Sequence, residues 1–265
     1  MDFKTAYRCA ILSQEIYQDF AAIKFRDLPG ITPKLIERGR TDTQLAILED
    51  ATQQRTVIVF RGSDAERDLI TNLDFGAEEY AWSPAQKESY REQIEEVTEE
   101  VTESKELIYP DEYADSSRPV KMHRGFILAY LSVRNDIHDY IKNSSASQYT
   151  ITGHSLGGAL ATLCAIDLQY NFSPRIQVEA YTFGSPKVGN AAFTESYNRR
   201  VPDTWRVVYG WDIVVGLPRW WQGYRHVDTA IKLERGFSWR IITGSVEDHR
   251  ISKYVAELKT RAGAA

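Results

Sequence analysis

Hydrophobic and polar positions follow two different periods in the first sixty residues. Helical spacing of apolar positions over the first twenty residues predicts an N-terminal helix. Two apolar runs then predict strands, at Gln44–Leu48 and Thr56–Phe60, joined by a polar turn over 49–55. The second run is uninterrupted from Val57 to Phe60, which is typical of a strand covered on both faces.

Beyond residue 118 the two periods alternate along the chain. Helices are predicted at Phe126–Ile141, directly after Ser155, at Ala191–Arg199 and directly after His249. Strands are predicted at Tyr149–Thr152, Val178–Phe183, Arg206–Tyr209, Val227–Leu233 and Phe237–Ile242. This alternation predicts an α/β fold in which helices cover both faces of a mostly parallel central sheet.

Between these two regions, residues 77–118 have a different composition. From Lys87 to Asp115 the chain has eleven acidic and three basic residues, so this segment carries −8 while the rest carries +3. A narrow apolar seam from Tyr90 to Val101 is spaced as in a helix. The segment is too polar to bury a core, and it predicts an acidic helical insertion in a single domain spanning 1–265. It acts either as a solvated cover or as a second lid or partner contact.

Composition narrows the classes of function. Lys and Arg number 32 against 37 Asp and Glu, without the basic stripe of a nucleic-acid-binding protein. Cys9 and Cys164 are expected to be free thiols, and no spacing of ligands predicts a metal or an organic cofactor. No apolar stretch is long enough for a transmembrane segment, and no signal peptide is visible. We therefore expect a cytoplasmic protein.

The most specific local feature is the sequence Gly153-His154-Ser155-Leu156-Gly157, between a predicted strand and a predicted helix. The glycines of G-x-S-x-G allow a sharp turn from strand to helix, here called the elbow, that raises the serine hydroxyl above the sheet. A serine becomes nucleophilic when a histidine accepts its proton. In this topology an acidic residue and then the histidine follow the serine in chain order. The pattern predicts Ser155 as a nucleophile.

Asp212 is the best candidate for the acidic partner. It follows the predicted strand Arg206–Tyr209, and functional groups gather at the carboxyl ends of parallel strands. Four other aspartates are alternatives. Asp167 lies in the helix after Ser155, and Asp203 lies at the amino end of that strand. Asp228 and Asp248 lie in later segments.

His249 is the preferred base because it follows a predicted strand and begins a helix. His226 stays open as the alternative, although it enters its strand from the opposite edge. His154 is expected to point away from the nucleophile, and either to pack or to support the residues that touch the substrate. For the oxyanion, the candidate donors are the amide of Leu156 and the amide and hydroxyl of Ser63, which follows the strand Thr56–Phe60.

Several sequence blocks occur together in one order. They are Val59–Ser63, Asp68–Leu73, His123–Phe126, Gly153–Gly158, Phe183–Gly189, Asp212–Pro218 and Asp248-His249. Over about residues 40–260 the chain resembles the fungal-type class 3 lipases of the α/β-hydrolase fold. The resemblance implies carboxylic-ester hydrolysis with Ser155, Asp212 and His249 as the triad, and with Ser63 and Leu156 as oxyanion donors. It also places Asp64–Leu73 where the family has its lid helix.

The substrate is expected to be a lipid or another ester, met at a lipid interface. Leu69 and Leu73 of the lid-like stretch and the pair Trp220 and Trp221 are the candidate substrate contacts. The wider cluster Trp211, Leu217, Trp220, Trp221 and Tyr224 either lines an acyl groove or packs into the core. A lipase is the main hypothesis. A short-chain carboxylesterase, a feruloyl esterase, a phospholipase A1 and a non-catalytic lipid- or protein-binding module are the alternatives.

Overall fold

The computed structural model describes residues 1–50, 52, 54–63, 120–218, 220–227, 229–234 and 246–264. Its strands are β1 Lys34–Arg38, β2 Thr43–Asp50, β3 Arg55–Phe60, β4 Gln148–His154, β5 Gln177–Phe183, β6 Gly189–Asn190, β7 Thr204–Tyr209, β8 Tyr224–Arg225 and β9 Ala230–Leu233. Its α-helices are α1 Phe3–Glu15, α2 Arg124–Asn143, α3 Leu156–Phe172, α4 Ala191–Arg200 and α5 Ile251–Ala262.

Seven of the described strands form one sheet in the order β1-β2-β3-β4-β5-β7-β9. The pairs β1–β2 and β2–β3 are antiparallel, and every later pair in the sheet is parallel. Phe60 is opposite Gly153, and Phe183 is opposite both His154 and Val207. The carboxyl ends of β3, β4, β5 and β7 therefore lie side by side, which is the mostly parallel sheet that the sequence predicts.

Helices cover both faces of this sheet. Neighbouring residues of β3 show the division: Ile58 packs with α2 and α3, whereas Val59 packs with the end of α1. Helix α5 packs on α1 and on the outer strands of that second face. Between the sheet and α2, α3 is buried on every side from Gly157 to Leu168. A helix that is apolar all round is stable only in such an interior position.

Local sequence explains how one helix begins and how another ends. Asp2 caps α1 by accepting hydrogen bonds from the amides of Lys4 and Thr5. These amides lie in the first turn of the helix and have no intrahelical acceptor. At the other end of the chain, Gly263 closes α5 in a left-handed conformation, with φ +62°. Cys9 and Cys164 are both buried free thiols, as predicted.

The structure departs from the predicted elements at the edge of the sheet. Strand β1 was not predicted, because charged residues occupy most of Lys34–Arg38 and only Ile36 is buried. The strand predicted at Val227–Leu233 is shorter and begins at Ala230. The strand predicted at Phe237–Ile242 and the acidic insertion 77–118 lie outside the described residues.

A cavity of about 320 Å³ lies beneath α1, at the amino ends of the parallel strands. Its walls include Cys9, Leu12, Val57, Glu179 and Trp205. This edge is opposite the one that carries the elbow, so the cavity is distinct from the candidate site. In the part of the chain that the structure describes, no helix is long and apolar enough to cross a membrane.

Candidate active site

The turn from β4 into α3 holds Ser155 in a strained backbone conformation. Its φ is +58° and its ψ is −129°, a region that costs a non-glycine residue on the order of 1–3 kcal/mol. The Ser155 amide donates to the carbonyl of Phe183 at 2.9 Å, and its carbonyl accepts from the amide of Gly158 at 2.9 Å. Strand β5 and the first turn of α3 therefore hold this conformation from two sides.

The glycines of the motif are needed because three backbone segments meet at the elbow. A Cβ at Gly157 would lie 2.3 Å from the carbonyl oxygen of Phe60, at the end of β3. A Cβ at Gly153 would lie 2.3 Å from the carbonyl oxygen of Gly157. Both distances are far below van der Waals contact. The glycines thus allow β3, β4 and α3 to approach closely enough to form the turn.

Asp212 lies three residues beyond β7, and its side chain is fully buried. Three donors converge on the carboxylate: the amide of Val214 at 2.9 Å, Nδ1 of His249 at 2.8 Å and the hydroxyl of Tyr254. Burial raises the pKa of the Tyr254 hydroxyl well above its usual value, and the nearby Asp212 carboxylate raises it further. The hydroxyl therefore remains a donor, and the orientation of the carboxylate is fixed.

His249 belongs to the short 3₁₀ turn Glu247–His249, just before α5, and it is completely buried. Because its Nδ1 donates to Asp212, the lone pair of the neutral ring is on Nε2. That Nε2 and the Oγ of Ser155 are both buried without a hydrogen-bond partner among the described residues. Most buried polar atoms in native proteins are paired, and the combination of an unpartnered serine oxygen and an unpartnered histidine nitrogen at the elbow fits a site that binds a reactant.

One residue joins the elbow to the Asp212–His249 pair. The His154 ring lies 4.5 Å from the His249 ring, centroid to centroid, and its Nε2 is 2.6 Å from the carbonyl oxygen of His249. His154, which directly precedes Ser155, therefore connects the serine to the Asp212–His249 pair. A base with a fixed tautomer beside a strained serine is the arrangement that acyl transfer to serine requires.

The candidate oxyanion donors flank the elbow. Leu156 is the first residue of α3, where amides have no intrahelical acceptor and favour negative charge. Ser63 follows β3 by three residues and is partly buried. Strand β3 pairs with β4 through its last residue, Phe60, so the segment carrying Ser63 leaves the sheet beside the elbow.

The candidate substrate contacts are only partly described. Leu69 and Leu73 lie outside the described residues, as does the Trp220 side chain, while Trp221 is half-buried in the 3₁₀ turn Trp220–Gln222. The wider aromatic cluster does not form one groove. Leu217 and Tyr224 are buried in the core, whereas Trp211 is 59% exposed.

The histidine that was the alternative base has another partner. His226 donates through Nε2 to the carbonyl of Val215 at 2.7 Å, and the partner of Asp212 is His249. Burial lowers the pKa of His226 to about 3, and the charges of Arg206 and Lys187 contribute to this shift. The structure thus pairs His249, and not His226, with Asp212, and His154 links this pair to the neighbouring Ser155.

Sequence reasoning missed two tyrosines at this site. Tyr254 donates to Asp212, and Tyr17 lies 3.0 Å from Nδ1 of His154. Both fall at apolar positions of the helical patterns at the start and the end of the sequence, where a tyrosine normally packs into the core. The only sequence signal was that Tyr254 follows the predicted base by five residues, in the helix predicted after it. Among the described residues, no group of three or more histidines, cysteines and carboxylates could hold a metal ion.

Comparison with known proteins supplies the family. The model of the class 3 lipases matches residues 57–221, which is more than half of the chain and includes the elbow and Asp212. The chain belongs to the class 3 lipase family. A secreted mono- and diacylglycerol lipase of Fusarium solani is 34% identical to this class 3 lipase over 194 residues, or 72% of the chain and 47% of the relative. The chain thus spans about half the length of that relative.

Solved structures show the same fold. The triacylglyceride lipase of Rhizomucor miehei matches 93% of this chain and 91% of its own, with a TM-score of 0.67 and 23% identity. A triacylglycerol lipase whose catalytic centre is described as a serine protease triad covers 86% of this chain and 78% of its own, with a TM-score of 0.62 and 25% identity. The predicted α/β-hydrolase fold and the resemblance to fungal-type lipases are confirmed. The expected cytoplasmic location is wrong, because the Fusarium relative is a secreted enzyme.

Proposed function

We propose that this class 3 lipase hydrolyses the ester bonds of acylglycerols through an acyl-enzyme on Ser155. One observation carries the proposal: a strained serine and a buried histidine nitrogen, both without a hydrogen-bond partner among the described residues, lie on adjoining segments. Because Asp212 holds the other ring nitrogen of His249, the unpartnered Nε2 is the base.

The reaction follows from these positions. His249 Nε2 accepts the proton of Ser155 as Oγ forms a bond to the ester carbonyl carbon. The resulting tetrahedral intermediate collapses, the bond to the leaving alcohol breaks, and the His249 imidazolium gives its proton to that alcohol. A water molecule, deprotonated by the same nitrogen, then attacks the acyl-enzyme, which releases the fatty acid and restores Ser155.

The negative charge of the tetrahedral intermediate requires donors. In this proposal the Leu156 amide and Ser63 supply them, and each preorganised donor is worth about 3–4 kcal/mol of barrier. The strained backbone of Ser155 supports this role, since it places Leu156 at the start of α3, where its amide is directed out of the helix end.

Exposed apolar side chains near the site support the proposal that the enzyme meets its substrate at a lipid surface. Trp211, next to Asp212, is 59% exposed, and Val246, three residues before His249, is 38% exposed. The two segments are joined, because the amide of Trp211 donates to Asp248 at 3.0 Å. In this proposal Trp211 and Val246 contact lipid, and Leu69, Leu73, Trp220 and Trp221 contact the acyl chain. As the secreted Fusarium relative suggests, the enzyme acts outside the cytoplasm.

A serine-reactive fluorophosphonate probe and two ester substrates test this function. The wild-type chain is expected to be labelled on Ser155 and to release fatty acid from emulsified dioleoylglycerol, and Ser155→Ala is expected to do neither. Failure of the wild-type chain to label would remove the serine-hydrolase assignment. Cleavage of short soluble esters alone would leave an esterase and remove the lipase.

Trp211→Ser tests the lipid interface separately. The variant is expected to lose about tenfold of its activity on emulsion, since an exposed tryptophan buries a large apolar surface at an interface. Its kcat on a soluble p-nitrophenyl ester is expected to stay unchanged. Tyr170→Ser is the matched control, because Tyr170 is 38% exposed at the far end of α3. Equal losses in both variants would contradict a role for Trp211.

A further inference from the structure

The two halves of the candidate triad are held by separate sets of hydrogen bonds. Ser155 is fixed by its backbone bonds to Phe183 and Gly158. His249 is fixed through its side chain on Asp212, and its neighbour Asp248 accepts from the amide of Trp211. None of these bonds sets the distance between the serine and the histidine.

His154 supplies the connection. Its Nε2 lies 2.6 Å from the main-chain carbonyl oxygen of His249, and it directly precedes Ser155. We propose that His154, oriented by Tyr17, is the positioning residue that sets the distance between His249 and Ser155. The proposal rests on the serine-hydrolase function proposed above.

The partners of His154 determine where its protons are. A carbonyl oxygen can only accept, so Nε2 must carry the proton that goes to His249. Burial lowers the pKa of His154 well below its usual value, and the nearby His249 lowers it further. In the neutral ring, Nδ1 then has the lone pair, and it accepts from the Tyr17 hydroxyl at 3.0 Å. The hydrogen bonds therefore run in one direction, from Tyr17 through His154 to His249.

Tyr17 is itself anchored next to the candidate oxyanion segment. The Arg61 guanidinium lies 5.7 Å from the centre of the Tyr17 ring, and it donates to the carbonyl of Gln18 at 3.2 Å. Arg61 directly follows β3 and is two residues before Ser63. The tyrosine hydroxyl thus holds the His154 ring from a fixed point beside the elbow.

Two substitutions of His154 separate the two ring nitrogens. The amide nitrogen of glutamine reaches about as far as Nε2, so His154→Gln can keep the donor to His249. Asparagine reaches about as far as Nδ1, so His154→Asn loses it. We expect His154→Asn to lower kcat on a soluble p-nitrophenyl ester about 100-fold, as a misplacement of about 1 Å does. The kcat of His154→Gln is expected to stay within about fivefold of the wild-type value. In both variants, KM should stay within about twofold of wild type.

Removing the hydroxyl of Tyr17 tests the other bond. Tyr17→Phe is expected to lower kcat about five- to tenfold, the size of one hydrogen bond. The double variant Tyr17→Phe/His154→Gln is expected to be no slower than His154→Gln, because Tyr17 acts only through His154. Tyr130→Phe is the matched control. It removes a buried hydroxyl that donates to Asp167, away from the site, and should lower Tm while leaving kcat unchanged.

A readout independent of activity completes the test. In ¹⁵N spectra of histidine-labelled protein, His154 is expected to carry its proton on Nε2, and its Nδ1 signal should shift in Tyr17→Phe. All rates are taken per active site titrated with fluorophosphonate. A proton on Nδ1, or a wild-type kcat in His154→Asn, would overturn the positioning role. A wild-type chain that neither labels nor cleaves esters would instead overturn the proposed function, and the spectra would still report the tautomer.

Discussion

Two buried clusters of this molecule contain the same three residue types in the same pairing. In one, Asp212 accepts from His249 and Tyr254. In the other, between α2 and α3, Asp167 accepts from Tyr130 at 2.5 Å and lies 2.6 Å from Nε2 of His138. The similarity shows that a buried Asp–His–Tyr group is not by itself a sign of catalysis.

What distinguishes the clusters is how completely their polar atoms are paired. Arg134 and Asn171 also donate to Asp167, at 3.0 and 2.8 Å. Among the described residues, the side-chain atoms without a partner include Ser155 Oγ and His249 Nε2, but none in the Asp167 cluster. A closed set of hydrogen bonds stabilises a helix pair. An open set next to a strained serine leaves a base available for chemistry.

Replacing the aspartate by asparagine in each cluster should separate their roles, and the larger effect is expected at Asp212. Asp212→Asn should lower kcat about 10⁴-fold, because the amide no longer holds His249 in the tautomer whose Nε2 accepts a proton. Hydrolysis of a soluble p-nitrophenyl ester measures this. A kcat within tenfold of wild type would mean that Asp212 does not orient the base.

Asp167→Asn is the counterpart. Loss of the carboxylate leaves Arg134 and His138 without their common acceptor, so the free energy of unfolding should fall by about 3–5 kcal/mol. Urea denaturation measures this loss, and kcat per titrated active site should remain that of the wild type. If kcat also fell by orders of magnitude, the two clusters would not be functionally separate.

A smaller effect is expected from Gly184→Ala, which tests how tightly the open cluster is packed. A Cβ at Gly184 would lie 2.6 Å from Oδ2 of Asp212 and 2.9 Å from Nδ1 of His249, and φ is +57°. The displaced pair should lower kcat/KM about 100-fold. Gly30→Ala is the control, since φ there is +86° with nothing within 4 Å of the Cβ. It should cost about 1 kcal/mol of stability and no activity.

The smallest effect concerns pH and His226, a histidine that belongs to neither cluster. The pKa of His226 is about 3 in the fold and about 6.5 in the unfolded chain. As the pH falls below about 6.5, the unfolded chain binds a proton that the fold does not, so stability is lost from there down to about pH 3. His226→Gln should lose less of its free energy of unfolding between pH 7 and pH 4. An unchanged slope would contradict the low pKa.

Much of the site was accessible from sequence because strand order and the elbow constrain it strongly. The glycines around Ser155 identify a turn that few other sequences can form. Once the strands are in order, Asp212 is the aspartate that lies shortly after a strand at the same edge of the sheet. The antiparallel pairing of β6 with β8 was inaccessible, because each strand has only two residues and no detectable period.

Tyr17 and Tyr254 were inaccessible for a different reason. Tyr17 lies just beyond α1, and Tyr254 lies on α5. In both patterns a tyrosine is equally well explained as a core residue, and neither helix is near the elbow in sequence. Their roles depend on where α1 and α5 dock on the sheet, which is a property of tertiary packing. Helical period alone predicts the face of a tyrosine but not the acceptor that its hydroxyl reaches.

The docking of α5 on α1 has a consequence for biosynthesis. The elbow is synthesised before His249 and Tyr254, and these two residues reach their partners only when α5 packs against α1. A nascent chain that already displays Ser155 therefore has no base. In the proposed mechanism, ester cleavage therefore requires that translation has passed α5.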